Sequence, residues 1–110
     1  MEIVSQAQGP VLVAQVMTDR IDAAAAIQFK ETMRKVIEAP GNPVILDLSR
    51  VHFLDSSGLG AVVAVMKLLA PQRRLELAGL TPTVDKVFRL TRMDKVFVIH
   101  AESPRIRAAG

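Results

Sequence analysis

The sequence predicts an α/β domain: a mixed, mostly parallel sheet of four to five strands packed with three to four helices. Three observations carry that expectation. Short runs of branched apolar residues (Val11–Met17, Val44–Leu48, Leu75–Ala78 and Val96–Ile99) alternate with longer segments whose apolar residues recur at helical spacing. Only 4% of the residues are aromatic, all of them Phe, so Val, Leu, Ile, Ala and Met must build the core. Aliphatic cores of that kind suit parallel or mixed sheets covered by helices. Finally, 110 residues fit one domain, and a chain that is 50% hydrophobic and 23% charged is too apolar to stay disordered.

The elements follow in order. Residues 2–6 form a short strand, ended by Gly9-Pro10, and Val11–Met17 form the next. Gly-Pro between two strand-like runs predicts a tight turn and an antiparallel pair. Thr18–Asp22 is a polar break, and Asp22 caps a helix from Ala23 to about Glu38. Ala26, Phe29, Met33 and Val36 mark its buried stripe, with Lys30, Glu31, Arg34 and Lys35 on other faces. Ala39-Pro40-Gly41-Asn42-Pro43 stops that helix. Val44–Leu48 reads as a buried central strand, followed by a loop through Ser49 to Asp55.

A second helix runs from about Ser57 to Leu69, with Pro71 ending it, and Leu75–Ala78 is the next strand. Thr81 caps a third helix that begins at Pro82 and ends near Leu90. Val96–Ile99 is the last strand, and the tail from Glu102 to Gly110 is loosely ordered or weakly helical. Strands alternating with helices imply right-handed crossovers between parallel strands.

Composition narrows the function classes. The absence of cysteine excludes a disulfide framework, a thiolate nucleophile and a cysteine-ligated metal, and it fits a reducing cytoplasm. The N-terminus, Met-Glu-Ile-Val-Ser-Gln, lacks the basic and apolar regions of a signal peptide. The longest apolar stretch starts at Leu59 and is broken at Lys67, short of the roughly 20 apolar residues that span a bilayer, so no membrane insertion is expected. Net charge is +3, with basic residues scattered and no interleaved aromatics, which argues against direct nucleic-acid binding. His52 and His100 are isolated and lack an acidic ligand pattern, so no metal or other cofactor is expected. Asp47 reads as a residue bonding to nearby backbone at a strand end, and Met17, Met33 and Met66 as core filling. Lys86, Arg89, Arg92 and Lys95 read as a solvated face that is also suited to an acidic partner.

The segment Leu54-Asp55-Ser56-Ser57-Gly58-Leu59-Gly60 is the candidate working site. It follows the central strand and opens a helix, and functional loops of α/β sheets lie at the carboxyl ends of parallel strands. A helix start offers unpaired N–H groups and the positive end of a dipole, so a hydroxyl there is suited to carry a phosphoryl group. The plainer alternative is that Asp or Ser merely caps the helix. Gly58 and Gly60 each cost about 1 kcal/mol relative to Ala in a helix, which suggests close approach of another backbone or of a partner protein. The helix behind them is apolar nearly all round: Leu59, Val62, Val63, Met66 and Leu69 are assigned to the core, and Ala61, Ala64, Val65 and Leu68 to the other side. No Gly-Lys-Ser/Thr phosphate loop and no Gly-x-Ser-x-Gly elbow is present, so neither a nucleotide hydrolase nor a serine hydrolase is expected, and the chain reads as a non-enzyme.

At this point the chain resembles the STAS family, and within it the bacterial anti-sigma factor antagonists. The family's Asp-Ser-Ser/Thr-Gly-Leu-Gly motif stands here as Asp55-Ser56-Ser57-Gly58-Leu59-Gly60, and its Gly-Glu/Arg-Leu-Asp motif as Asp19-Arg20-Ile21-Asp22. Thr81-Pro82-Thr83-Val84 through Phe88 and Thr91 resembles its third helix and following turn. The resemblance runs from Ile3 to His100 and implies a single STAS-like domain with its core at about 3–100 and a tail at 101–110. It implies Ser56 as phosphoacceptor for a serine kinase that is also an anti-sigma factor, and a phosphoserine phosphatase that reverses the modification. It also implies a partner-binding surface of Asp22, Asp55, Ser56, Ser57, Gly58 and Gly60. A non-switching STAS subunit of a membrane transporter of the lipid ABC type is the alternative within the same family. Asp19 stands where the family usually has Gly, and Asp tolerates a left-handed turn better than most residues.

Overall fold

The computed structural model describes residues 1–104. The N-terminal hairpin pairs β1 (Ile3–Gln8) antiparallel with β2 (Val11–Val16) across Gly9-Pro10. Gly9 adopts φ +59, a conformation that suits glycine at the first position of a tight hairpin turn. A two-residue strand, β3 (Arg20–Ile21), leads into α1 (Ala23–Val36). Then come β4 (Val44–Asp47), a second two-residue strand β5 (Phe53–Leu54) and α2 (Ser56–Leu69). The chain continues through β6 (Leu75–Ala78), α3 (Pro82–Leu90) and β7 (Ile99–His100).

The main sheet has five strands in the order β1-β2-β4-β6-β7, antiparallel only at the hairpin. β4 lies between β2 and β6, parallel to both, and all four of its residues are buried, as a run without polar alternation requires. The face bearing Leu12, Ala14, Val16, Leu46, Leu75 and Leu77 packs on Ala26, Phe29 and Met33 of α1 and on Ala61, Val62, Val65 and Leu69 of α2. The opposite face buries Val13, Ile45 and Ala78 together with the acids Asp47 and Glu76. Glu76 is matched on both oxygens, by His100 Nε2 at 2.7 Å and Arg74 Nη2 at 3.1 Å. A buried carboxylate needs such partners to offset its lost hydration.

Arg73 ties the amino-distal ends of α1 and α2 together. It follows α2 closely, its backbone N–H donating to Leu69. Its guanidinium donates to the carbonyls of Ile37 (2.7 Å), Ala39 (2.9 Å) and Gly41 (2.7 Å), all just beyond α1. The planar fork of five N–H groups makes arginine able to collect carbonyls in this way.

Three expectations need correction. The buried stripe of α2 is Gly58, Ala61, Val62, Val65 and Leu69; Leu59, Val63 and Met66 are only half-buried and Leu68 is exposed. Ala61 and Val65 were assigned to the wrong side because a helix apolar all round carries little phase information. The last strand lies later than the expected Val96–Ile99: Met93–Lys95 forms a short 3-10 turn, Val96 and Val98 are exposed, and β7 is Ile99–His100, with the Val98 carbonyl accepting from Leu77 N–H at 2.9 Å. Phe97 is held instead by its own burial, edge-on to Phe88 with ring centroids 5.9 Å apart. Thr81 precedes α3, but its hydroxyl donates to the Val51 carbonyl at 2.7 Å and makes no cap bond. Of the tail assigned to 101–110, residues 105–110 lie outside the described residues.

Candidate functional site

The site is built on a feature too short for a periodic signal. β3 and β5 pair in parallel, Arg20 opposite Phe53 and Ile21 opposite Leu54. The Asp19 carbonyl extends the join by accepting from the N–H groups of His52 (2.8 Å) and Phe53 (3.1 Å). Asp19 has no positive φ, so this turn does not need a left-handed residue, and the side chain there is free to be something other than glycine.

Each mini-strand delivers an aspartate to a helix start. Asp22, in extended conformation, accepts from Ala25 N–H at 3.0 Å and caps α1. Asp55, also extended, accepts from Gly58 N–H at 2.9 Å and caps α2. Since Ile21 and Leu54 are in register, the two caps stand side by side. Arg20 lies over the Phe53 ring, 4.3 Å from its centroid, with Nε 3.9 Å from the Asp22 carboxylate. The side chains of that pair are 57% and 40% exposed, so it is a weak solvent-screened contact.

The two glycines have different reasons. A methyl group on Gly58 would overlap the Ile21 carbonyl oxygen and crowd Ile21 Cγ2 and Leu54 Cγ, both at 3.1 Å. Glycine at 58 is therefore demanded by the chain's own backbone, where α2 crosses β3. A methyl group on Gly60 would meet nothing within 4 Å, so no contact inside the domain calls for glycine there.

The sequence-derived set therefore divides. Ser56, Ser57 and Gly60 are exposed on the first turns of α2, Asp22 and Asp55 are half-buried as caps, and Gly58 is buried. The Asp55 side chain and carbonyl accept from Gly58 and Leu59, while the N–H groups of Ser56 and Ser57 have no partner among the described residues. Phe53, 37% exposed, and Arg20 border this surface, and sequence reasoning did not single out either. The only signal available was their placement just before the two cap aspartates.

Asp47 takes no part. Its Oδ1 accepts from Ser49 N–H at 2.8 Å, as a strand-end carboxylate is expected to do, in a cleft also lined by Gln15, Gly79, Glu102 and Ser103. Among the described residues no group of three or more His, Asp or Glu side chains is placed to hold a metal ion, and no helix is long and apolar enough to cross a membrane.

Comparison with known proteins adds four likenesses. A family model described as the STAS domain matches residues 3–106. The anti-sigma-B factor antagonist of Listeria monocytogenes is 32% identical over 80 residues, covering 72% of this chain and 70% of that protein. Among solved structures, an anti-sigma factor antagonist from Mycobacterium paratuberculosis superposes with a TM-score of 0.78 at 25% identity, covering 90% of this chain and 84% of that one. An anti-sigma-factor antagonist (STAS) domain protein from Planctomyces limnophilus reaches 0.80 at 21% identity over 92% and 91%, a likeness of fold.

Proposed function

The chain belongs to the STAS domain family, and from that premise we propose that it is a cytoplasmic anti-sigma factor antagonist, switched at Ser56. In its unmodified form it binds an anti-sigma serine kinase through the surface around the two capped helix starts, and the sigma factor is released. The kinase transfers the terminal phosphoryl group of ATP to Ser56 Oγ, leaving ADP, and the phosphoprotein lets go. A phosphoserine phosphatase hydrolyses the ester and restores binding. The domain itself is substrate and ligand here, not catalyst.

One observation carries this reading: Ser56 is an exposed hydroxyl at the first position of a helix whose start is fixed on both sides, by the Asp55 cap and by Gly58 against Ile21. A kinase meets an accessible nucleophile on a surface that holds its shape. The named likeness to anti-sigma-B factor antagonists agrees with it.

The switch follows from charge. A phosphoserine carries about −1.5 to −2 at pH 7. At this position it lies by the N–H groups of Ser56 and Ser57, which favour it, and by the carboxylates of Asp22 and Asp55, which do not. The modification therefore costs the free domain little, and its effect falls on the docked complex. There the phosphate must be desolvated against a partner shaped for a neutral hydroxyl. About 1.4 kcal/mol of such disfavour lowers affinity tenfold.

The test is capture of the partner from the native cell extract by the unmodified protein, then addition of ATP and mapping of phosphate by mass spectrometry. A kinase that binds, modifies Ser56 and then dissociates supports the reading, with Ser56→Ala binding but never released and Ser56→Asp at least tenfold weaker. Recovery of a transporter subunit with Ser56 unmodified sinks it in favour of the non-switching role.

A further inference from the structure

Two carboxylates meet at the paired helix starts. Asp22 and Asp55 stand side by side, each with one oxygen committed to its cap bond. Among the described residues a single cation is paired with either of them: Arg20, whose Nε lies 3.9 Å from Asp22 Oδ2. The other described ion pairs join Arg74 and His100 to Glu76, and Arg89 to Asp85 and Asp94.

Arg20 is held in place without its donors being used. The β3–β5 register sets it opposite Phe53, and its guanidinium lies over that ring, 4.3 Å from the centroid. Stacking a planar cation on an aromatic face is attractive and restricts a long side chain. The contact with Asp22 is too long for a hydrogen bond, and the guanidinium of Arg20 donates to no acceptor among the described residues. Its fork of N–H groups is therefore presented on a side chain that is 57% exposed.

We propose that Arg20 is the counter-ion the domain supplies for a phosphoryl group on Ser56, an inference that rests on Ser56 being the phosphoacceptor. Phosphoserine brings about −1.5 to −2 charge and three acceptor oxygens to a surface that already carries two carboxylates. The guanidinium gains more from it than from Asp22. Charge-assisted bonds from arginine to phosphate oxygens are short and often paired, whereas the contact with Asp22 is single, loose and screened by solvent. The chain path brings the two groups to one place. Arg20 stands two residues before Asp22, Ser56 directly follows Asp55, and the in-register mini-strands set those aspartates next to each other.

The phosphate is then held from two sides, by the N–H groups of Ser56 and Ser57 at the start of α2 and by Arg20 from β3. The modification makes two changes at once: it adds an anion and it neutralises the exposed cation beside it. A partner that meets Arg20 with a carboxylate in the unmodified domain loses that contact after the transfer.

Phosphoserine placed at position 56 during translation tests this without any kinase. Its second ionisation ordinarily falls at about pH 6 and is followed by phosphorus NMR. Arg20 favours the dianion, while Asp22 and Asp55 disfavour it. Arg20→Gln should therefore raise the titration midpoint by about half a pH unit, the size an exposed charge pair supports, and molar salt should erase most of the difference. Lys67→Gln, the same loss of charge in the last turn of α2, should leave the midpoint nearly unchanged. An Arg20 that serves only to cover Phe53 would not move the phosphate titration at all. In the phosphoserine chain with Arg20 intact, the Arg20 Nε–H resonance should titrate with the same midpoint as the phosphate, which decides the matter if Arg20→Gln fails to fold. A midpoint that Arg20→Gln shifts no more than Lys67→Gln does, or an Arg20 Nε–H signal that ignores the phosphate, overturns the proposal. Failure of the switch itself would show elsewhere, as a Ser56 that the captured partner leaves unmodified, and would not alter this titration.

Discussion

The starts of α1 and α2 are two copies of one construction carrying different residues. In each, a two-residue strand ends in an apolar residue, an aspartate in extended conformation follows, and its carboxylate accepts from the third helical N–H. After Asp22 the sequence continues Ala23-Ala24-Ala25; after Asp55 it continues Ser56-Ser57-Gly58. Because the capping geometry is shared, the aspartates are explained by architecture at both ends. What distinguishes α2 is a pair of exposed hydroxyls, a glycine pressed on β3 and a second glycine with open space above it. The comparison separates residues that hold the site from residues available to act in it.

Replacing Gly58 strains that comparison most. Ala is the better helix former by about 1 kcal/mol, yet Gly58→Ala should destabilise the domain by about 1–3 kcal/mol, because the Ile21 carbonyl has to move. The midpoint of urea unfolding measures this, and a stabilised variant would refute the close approach. Next come the caps. Asp22→Ala and Asp55→Ala should each cost about 1 kcal/mol, and Asn at either place should restore most of it. A cost confined to one of them would mean that the two starts are not equivalent.

Gly60→Ala should act in the opposite direction, stabilising the free domain by up to about 1 kcal/mol. If Gly60 is there to admit a partner, titration calorimetry will show weaker partner binding from this more stable protein; unchanged affinity removes Gly60 from the docking surface. Smallest of all, Ser57→Ala should shift stability by less than about 0.5 kcal/mol, since the side chain is exposed and makes no cap bond. It should also leave modification of Ser56 intact, which phosphopeptide mapping would show.

The hairpin, the central strand and the helices were legible because each carries a signal several residues long: Gly9-Pro10 between two runs, an unbroken apolar stretch at Val44, a helical stripe from Ala26 to Met33. Asp22 was legible as a cap from residue type alone, and Asp55 as one of two candidate caps for α2. The β3–β5 pair was not, because two residues have no period, and the 18–22 and 49–55 segments read only as a break and a loop. Without that pair nothing in the sequence places Asp22 beside Asp55 except family resemblance. Gly58 and Gly60 look alike in the sequence, and only the position of the Ile21 carbonyl separates them. The Val96–Val98 segment shows the opposite failure, a strand-like run whose one buried residue, Phe97, is anchored by an aromatic contact and not by a ladder.

Arg73 bears on how a signal can travel. Through the carbonyls of Ile37, Ala39 and Gly41 it clamps the far end of α1 to the far end of α2, while β3 and β5 join the near ends. Two rods fastened at both ends have no lever arm between them. Under the proposed switch, a modification at Ser56 would thus be read where it is made, by whatever touches that surface, and would not be relayed across the domain. Sequence drift elsewhere would then retune durability while leaving the proposed on-to-off ratio untouched, which would make such a domain a portable part: the same surface could be placed under a different fold margin, or beside a different neighbour, without recalibrating the proposed switch.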